Sequence, residues 1–132
     1  MRVPLRIPAG WVICKNFFDD QPLAECSENE LDFLYDDEIL VIEQAAWGKR
    51  GRGEFWAAIP EGYILDMGWV PAGNPNGSFR LQFLKGNWDN VLYQFFSREH
   101  AVMARKIEQC LDYVDQGYEG EDLKYRLAEP PQ

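Results

Sequence analysis

No lysine or arginine occurs between Asp19 and Glu43, a stretch that holds ten carboxylates: Asp19, Asp20, Glu25, Glu28, Glu30, Asp32, Asp36, Asp37, Glu38 and Glu43. The whole chain carries a net charge of -9, with a pI near 4.5. A surface of that sign repels phosphate backbones, so nucleic acid is not expected as a direct partner, nor is an anionic membrane. Histidine is almost missing. His100 alone would have to serve any Ser-His or Cys-His acyl transfer, and nothing near it in sequence supplies the rest of such a pair. The three cysteines, Cys14, Cys26 and Cys110, lie far apart with no CxxC pair and no metal-type spacing. They read as small apolar residues of a reducing compartment, with a disulfide between two of them left open.

Long apolar runs are lacking as well. No stretch approaches the roughly 18 residues of a membrane span. The N-terminus, MRVPLRIPAGW, has two arginines but no long apolar segment, unlike a signal peptide. A soluble, cytoplasmic chain is expected. The calcium-loop order D-x-[DN]-x-[DN]-G and the phosphate-loop order GxxxxGK[ST] are both missing. There is no internal repeat and no linker long enough to divide the chain. Residues 1–132 are therefore read as one domain, with 118–132 a peripheral polar tail ending in Pro130-Pro131.

What is present is a substantial core. Hydrophobic residues make up 46% and aromatics 14%, enough to fold a domain of this length without staples. Strands are expected over 11–18, 39–46, 54–59, 63–70, 78–84 and 88–96, with 31–35 either a short strand or a helical turn. In 78–84 the alternation is clear: Phe79, Leu81 and Phe83 face one way, Ser78, Arg80 and Gln82 the other. Tight connections such as Pro60-Glu61-Gly62 and Lys85-Gly86-Asn87 imply antiparallel pairing. Residues 19–29 read as an acidic loop, and Gly48-Lys49-Arg50-Gly51-Arg52-Gly53 as a flexible basic hairpin tip. Ser97 is a suitable N-cap for a helix of about 20 residues that carries Met103, Ile107, Cys110, Leu111 and Val114 on one face and closes at Gly117. The fold class is α+β: an antiparallel sheet of about five or six strands with one long C-terminal helix packed on it.

A block of one charge costs folding energy through self-repulsion and asks for a reason. The preferred reading is a surface that holds a basic protein. Its candidate partner-binding residues are Asp19, Asp20, Glu28, Glu30, Asp32, Asp36, Asp37 and Glu38. Trp47 and Trp56, which flank the basic loop, are candidate apolar anchors. The alternatives are a metal-dependent hydrolase using paired carboxylates (Asp19-Asp20, or Asp36-Asp37-Glu38) and an acidic adaptor for a basic host protein. Neighbours in a strand point to opposite faces, so an Asp-Asp dipeptide rarely brings both acids to one ligand. No catalytic or metal-ligating residue is assigned, and no cofactor is expected.

Several segments together resemble a known family. They are Arg6-Ile7-Pro8-Ala9-Gly10-Trp11, Lys15-Asn16-Phe17-Phe18-Asp19, Asp66-Met67-Gly68-Trp69-Val70-Pro71, Asn74-Pro75-Asn76-Gly77-Ser78-Phe79-Arg80-Leu81, Trp88-Asp89 and Phe95-Phe96-Ser97-Arg98. In this order they resemble the small immunity proteins of bacterial contact-dependent inhibition and Rhs-type polymorphic toxin systems. The resemblance runs from Arg6 to about Gly117 and rests on packing and turn residues. It implies a non-enzymatic protein that binds the C-terminal toxin domain of its cognate effector in the cytoplasm and blocks it. Many such toxins are basic nucleases, for which an acidic inhibitor is electrostatically suited.

Overall fold

The computed structural model describes residues 1–50 and 53–131, with the side chains at 47–50 and 53–56 outside the description. Six strands form an antiparallel sheet: β1 (Trp11–Asn16), β2 (Leu40–Arg50), β3 (Gly53–Ala58), β4 (Tyr63–Val70), β5 (Ser78–Lys85) and β6 (Val91–Ser97). Their spatial order is β1-β2-β4-β5-β6, and β3 pairs with the second half of β2. Among the described residues there are also three α-helices: α1 (Glu28–Leu34), α2 (His100–Asp115) and α3 (Gly120–Leu127). The α+β expectation holds.

Strand alternation builds the core. Leu40 and Ile42 on β2, Leu65 and Met67 on β4, and Leu81 and Phe83 on β5 are all fully buried. Each such side chain contributes roughly 1.5–3 kcal/mol by leaving water. Helix α2 lays Met103, Ile107, Cys110 and Leu111 on the core at helical spacing. Residues directly opposite in an antiparallel pair share a face. The other face of the sheet therefore carries a row running Lys15, Val41, Asp66, Gln82 and Gln94 across five strands.

The helical part departs from the expectation of one long C-terminal helix. Strand β6 continues through Ser97, so α2 starts only at His100 with Glu99 at its N-cap and spans 16 residues. Its end is as read: Gly117, at φ +94°, donates to Val114 while Tyr118 donates to Tyr113, the paired bonds of a Schellman closure. In place of a polar tail comes α3, which buries Leu123 and Leu127 completely. The fully buried Lys106 of α2 donates to the carbonyls of Leu127 and, at 2.8 Å, Glu129. Its ammonium also lies over the Tyr93 and Phe95 rings, at 4.7 and 5.4 Å.

Smaller departures have local causes. Of the two readings of 31–35, the helical one holds: α1 takes 28–34, so the expected acidic loop of 19–29 is shorter and includes a 3-10 turn, Leu23–Glu25. Strand β6 starts at Val91 because asparagines prolong the turn: Asn87 accepts from Asp89, and Asn90 donates to Lys85. Within the expected basic loop, residues 48–50 and 53 belong to the β2–β3 ladder, and Gly51 and Arg52 lie outside the described residues. Trp47 and Trp56 stand opposite each other in that ladder, but their side chains fall outside the description. Of the cysteines, only Cys110 is buried; Cys14 is exposed, Cys26 half-buried, and all three are free thiols.

Candidate functional site: an acidic surface around two exposed phenylalanines

The acidic residues divide into those that hold the fold together and those that face outward. Asp19 binds the N-terminal ammonium at 3.2 Å, Arg2 at 3.1 Å and the Gln21 amide at 3.0 Å. Burial works to raise its pKa, but those three donors outweigh it and hold the carboxyl below its ordinary value. Asp20 takes the same ammonium at 3.2 Å. This first carboxylate pair pins the chain's beginning against residues 18–20, where Val3 also donates to the Phe18 carbonyl. Glu30 closes a capping box with Ser27: its carboxylate accepts from the Ser27 amide at 3.0 Å, and its amide donates to the Ser27 hydroxyl at 3.2 Å. The Ser27 amide, with help from Gln21, holds the Glu30 carboxyl below its usual range.

Three of the expected partner-binding acids are both exposed and, among the described residues, unpaired; Asp20 and Glu38 are exposed too, but each is held in an ion pair. Glu28, Asp32 and Asp37 are exposed and, among the described residues, their carboxylates take part in no hydrogen bond or ion pair. Glu28 and Asp32 are four residues apart on α1, so they share one face of it. Beside Asp32 stands Phe33, 45% exposed, and its ring meets Phe17, 37% exposed, edge-on at 6.1 Å. Both residues follow β1, which ends at Asn16: Phe18 turns inward to 0% exposure and Phe17 turns out. The Phe17 amide donates to the Ile39 carbonyl, which places this aromatic pair next to the acidic turn at 36–38. Lys15 bridges the two, at 3.5 Å from Glu38 and 5.7 Å from the Phe17 centroid, and Arg2 lies over the same ring at 5.3 Å. Neither phenylalanine was among the sequence candidates, although a strand over 11–18, as expected from the sequence, would have turned one of them out; the strand in fact ends at Asn16.

The acidic turn is fastened to β4 from both sides. Trp69 donates to the Asp36 carbonyl and Ile39 donates to the Met67 carbonyl, at 2.7 and 2.8 Å. Asp36 receives the Asp37 amide at 2.8 Å. Beneath the turn, Asp66 points away from the core-facing Leu65 and Met67, yet it is only 8% exposed. Its Oδ1 has no hydrogen-bond partner among the described residues. Burial, then the charge of Glu38, pushes this carboxyl up to about 6. Arg80 and Lys15 pull the other way and Asp37 adds to the rise.

The chemical candidates fare differently. His100 packs against Phe18 and Phe79 at 5.8 and 5.0 Å, with Nε2 3.4 Å from the Tyr35 hydroxyl. Burial lowers its pKa. The Cys14 and Cys26 thiols bond to the carbonyls of Val12 and Pro22 instead of to His100. Burial pushes both thiols up, away from the nucleophilic thiolate. A cavity of about 250 Å³ beside His100 is lined by Asp20, Leu23, Tyr35, Trp69 and Arg98. Its donors are already engaged: Arg98 binds the carbonyls of Gly77 and Pro75, and Tyr35 binds that of Gln21. Among the described residues, no group of three His, Cys, Asp or Glu side chains is placed to hold a metal ion.

Comparisons with protein-family models, curated proteins and solved structures return no match. Among the described residues no helix is long and apolar enough to cross a membrane.

Proposed function

We propose that this chain is a non-enzymatic inhibitor that binds a basic protein, acting as the immunity protein of a polymorphic toxin system in the cytoplasm. The observation that carries this is the Phe17–Phe33 pair, exposed beside Asp32 and the 36–38 turn. Protein interfaces combine a few desolvated aromatic anchors with a polar rim that excludes water and selects the partner. Here the rim is anionic, which steers a cationic domain to the surface at an enhanced rate and rejects acidic competitors. The resemblance of residues 6–117 to small immunity proteins points to a toxin domain, basic and nuclease-like, as that partner.

Within the surface, Glu28, Asp32 and Asp37 contribute long-range attraction, and Phe33 and Phe17 supply the apolar contact. Asp19, Asp20 and Glu30 act by holding the N-terminus and α1 in place. The test is co-expression with the product of the adjacent upstream gene. The two should co-purify, and cells carrying the toxin domain should survive only with this chain. Free growth without it, or no complex between the pair, would overturn the proposal.

A further inference from the structure

Asp66 is only 8% exposed, yet its Oδ1 meets no donor among the described residues. Such a group is costly unless something cationic or donating completes it. The nearby cations do not do so. Lys15 is engaged with Glu38 and lies over Phe17, and Arg80 reaches Asp66 only through space. Asp37 and Glu38, from the turn fastened above β4, add negative charge to the same spot. The local balance is three carboxylates, Asp37, Glu38 and Asp66, against two cations.

We propose that Asp66, with Glu38 and Asp37, forms a subsite beside the 36–38 turn, on the sheet face away from the core, that receives one arginine side chain of the basic partner. This rests on the reading that the chain binds a basic protein. A guanidinium fits better than an ammonium because its five N–H donors, held in a plane, can serve more than one carboxylate at once. Burial and the neighbouring Glu38 have already pushed this carboxyl up to about 6, and an arginine beside it would bring it back down. The subsite adjoins the aromatic pair through Lys15 and Glu38, so one partner segment can engage both.

Carboxyl-carbon NMR on the full chain tests this without the natural partner. The probe is acetyl-arginine amide, compared with acetyl-lysine amide and sodium chloride at equal ionic strength. The Asp66 midpoint should fall saturably with the arginine probe by about one pH unit, the size expected from an opposite charge at close range. The D66N variant should lose the saturable response at the Val41 and Gln82 amides while keeping its other resonances, and E38Q should weaken it. An Asp66 midpoint that does not move, or moves equally with lysine or salt, overturns the subsite. The broader function fails in a different way. A chain whose Asp66 takes the arginine probe but gives no protection against the neighbouring toxin would sink the inhibitor and leave the subsite standing.

Discussion

The carbonyl of Asp37 occupies the space that a β-carbon on Gly68 would need. The close approach lets the 36–38 turn lie flat on β4, between the bonds from Trp69 to Asp36 and from Ile39 to Met67. Glycine at this point therefore positions the acidic surface as well as the sheet. A G68A substitution meets backbone, which cannot swing aside as a flexible side chain would. It should destabilise the fold by about 1–3 kcal/mol through overpacking and shift the amide resonances of residues 36–39. Urea unfolding together with an amide spectrum checks both. An unchanged midpoint with unmoved resonances would mean that the turn does not rest on Gly68.

Asp66 makes stability depend on pH. A carboxyl whose folded pKa lies above its unfolded value binds its proton more readily in the folded state. The fold is therefore favoured while the group is protonated and loses stability as pH rises from about 3.8 to about 6. D66N removes the ionised form, so it should stabilise the chain above that window by roughly 1–2 kcal/mol after allowance for solvent screening. Below the window the two proteins should converge. A difference that stays constant with pH would show that the gain has another source.

Most of the sheet was legible in the sequence because its signals are local. The alternation of Phe79, Leu81 and Phe83 and the closing glycine at 117 each act within a few residues. The capping box Ser27-Glu28-Asn29-Glu30 was equally local, yet its two glutamates read as charge and concealed the helix they begin. Leu123 and Leu127 have helical spacing, but polar neighbours and Gly120 masked it. The burial of Asp66 and Lys106 could not be read along the chain. Asp66 is covered by a turn about 30 residues away, and Lys106 is satisfied by carbonyls 21 and 23 positions downstream. Which acids face outward depended on the same long-range geometry: Asp19 looks as free as Asp32 until the N-terminus folds back onto it.

Ser27 supports the candidate surface from beneath. Its hydroxyl accepts the Glu30 amide at the start of a helix only seven residues long, too short to persist without its cap. S27A should cost about 1 kcal/mol of stability. Hydrogen exchange should quicken over residues 28–34 more than in the sheet. Uniform exchange rates across the two regions would argue against local loosening of α1.

Lys106 anchors α3. Methionine at this position keeps an apolar stem beside Tyr93 and Phe95 but leaves the Leu127 and Glu129 carbonyls without their donor. K106M should cost about 1–3 kcal/mol, the penalty of buried acceptors left unpaired, and should release residues 120–131 to faster exchange. Wild-type protection of those amides would show that Leu123 and Leu127 hold the helix by themselves.

Charge and aromatic contact should separate in the binding kinetics. Asp32 acts at a distance, so D32K should slow association with the basic partner and flatten its dependence on salt. Phe33 acts only after contact. F33A should leave association nearly unchanged and speed dissociation, with a loss of about 2 kcal/mol or more if the ring is a true anchor. Both variants alter exposed side chains, so melting temperatures close to wild type are expected and would separate binding from folding. Rapid dissociation caused by the charge reversal, combined with an inert F33A, would reverse these roles and move the contact away from the Phe17–Phe33 pair.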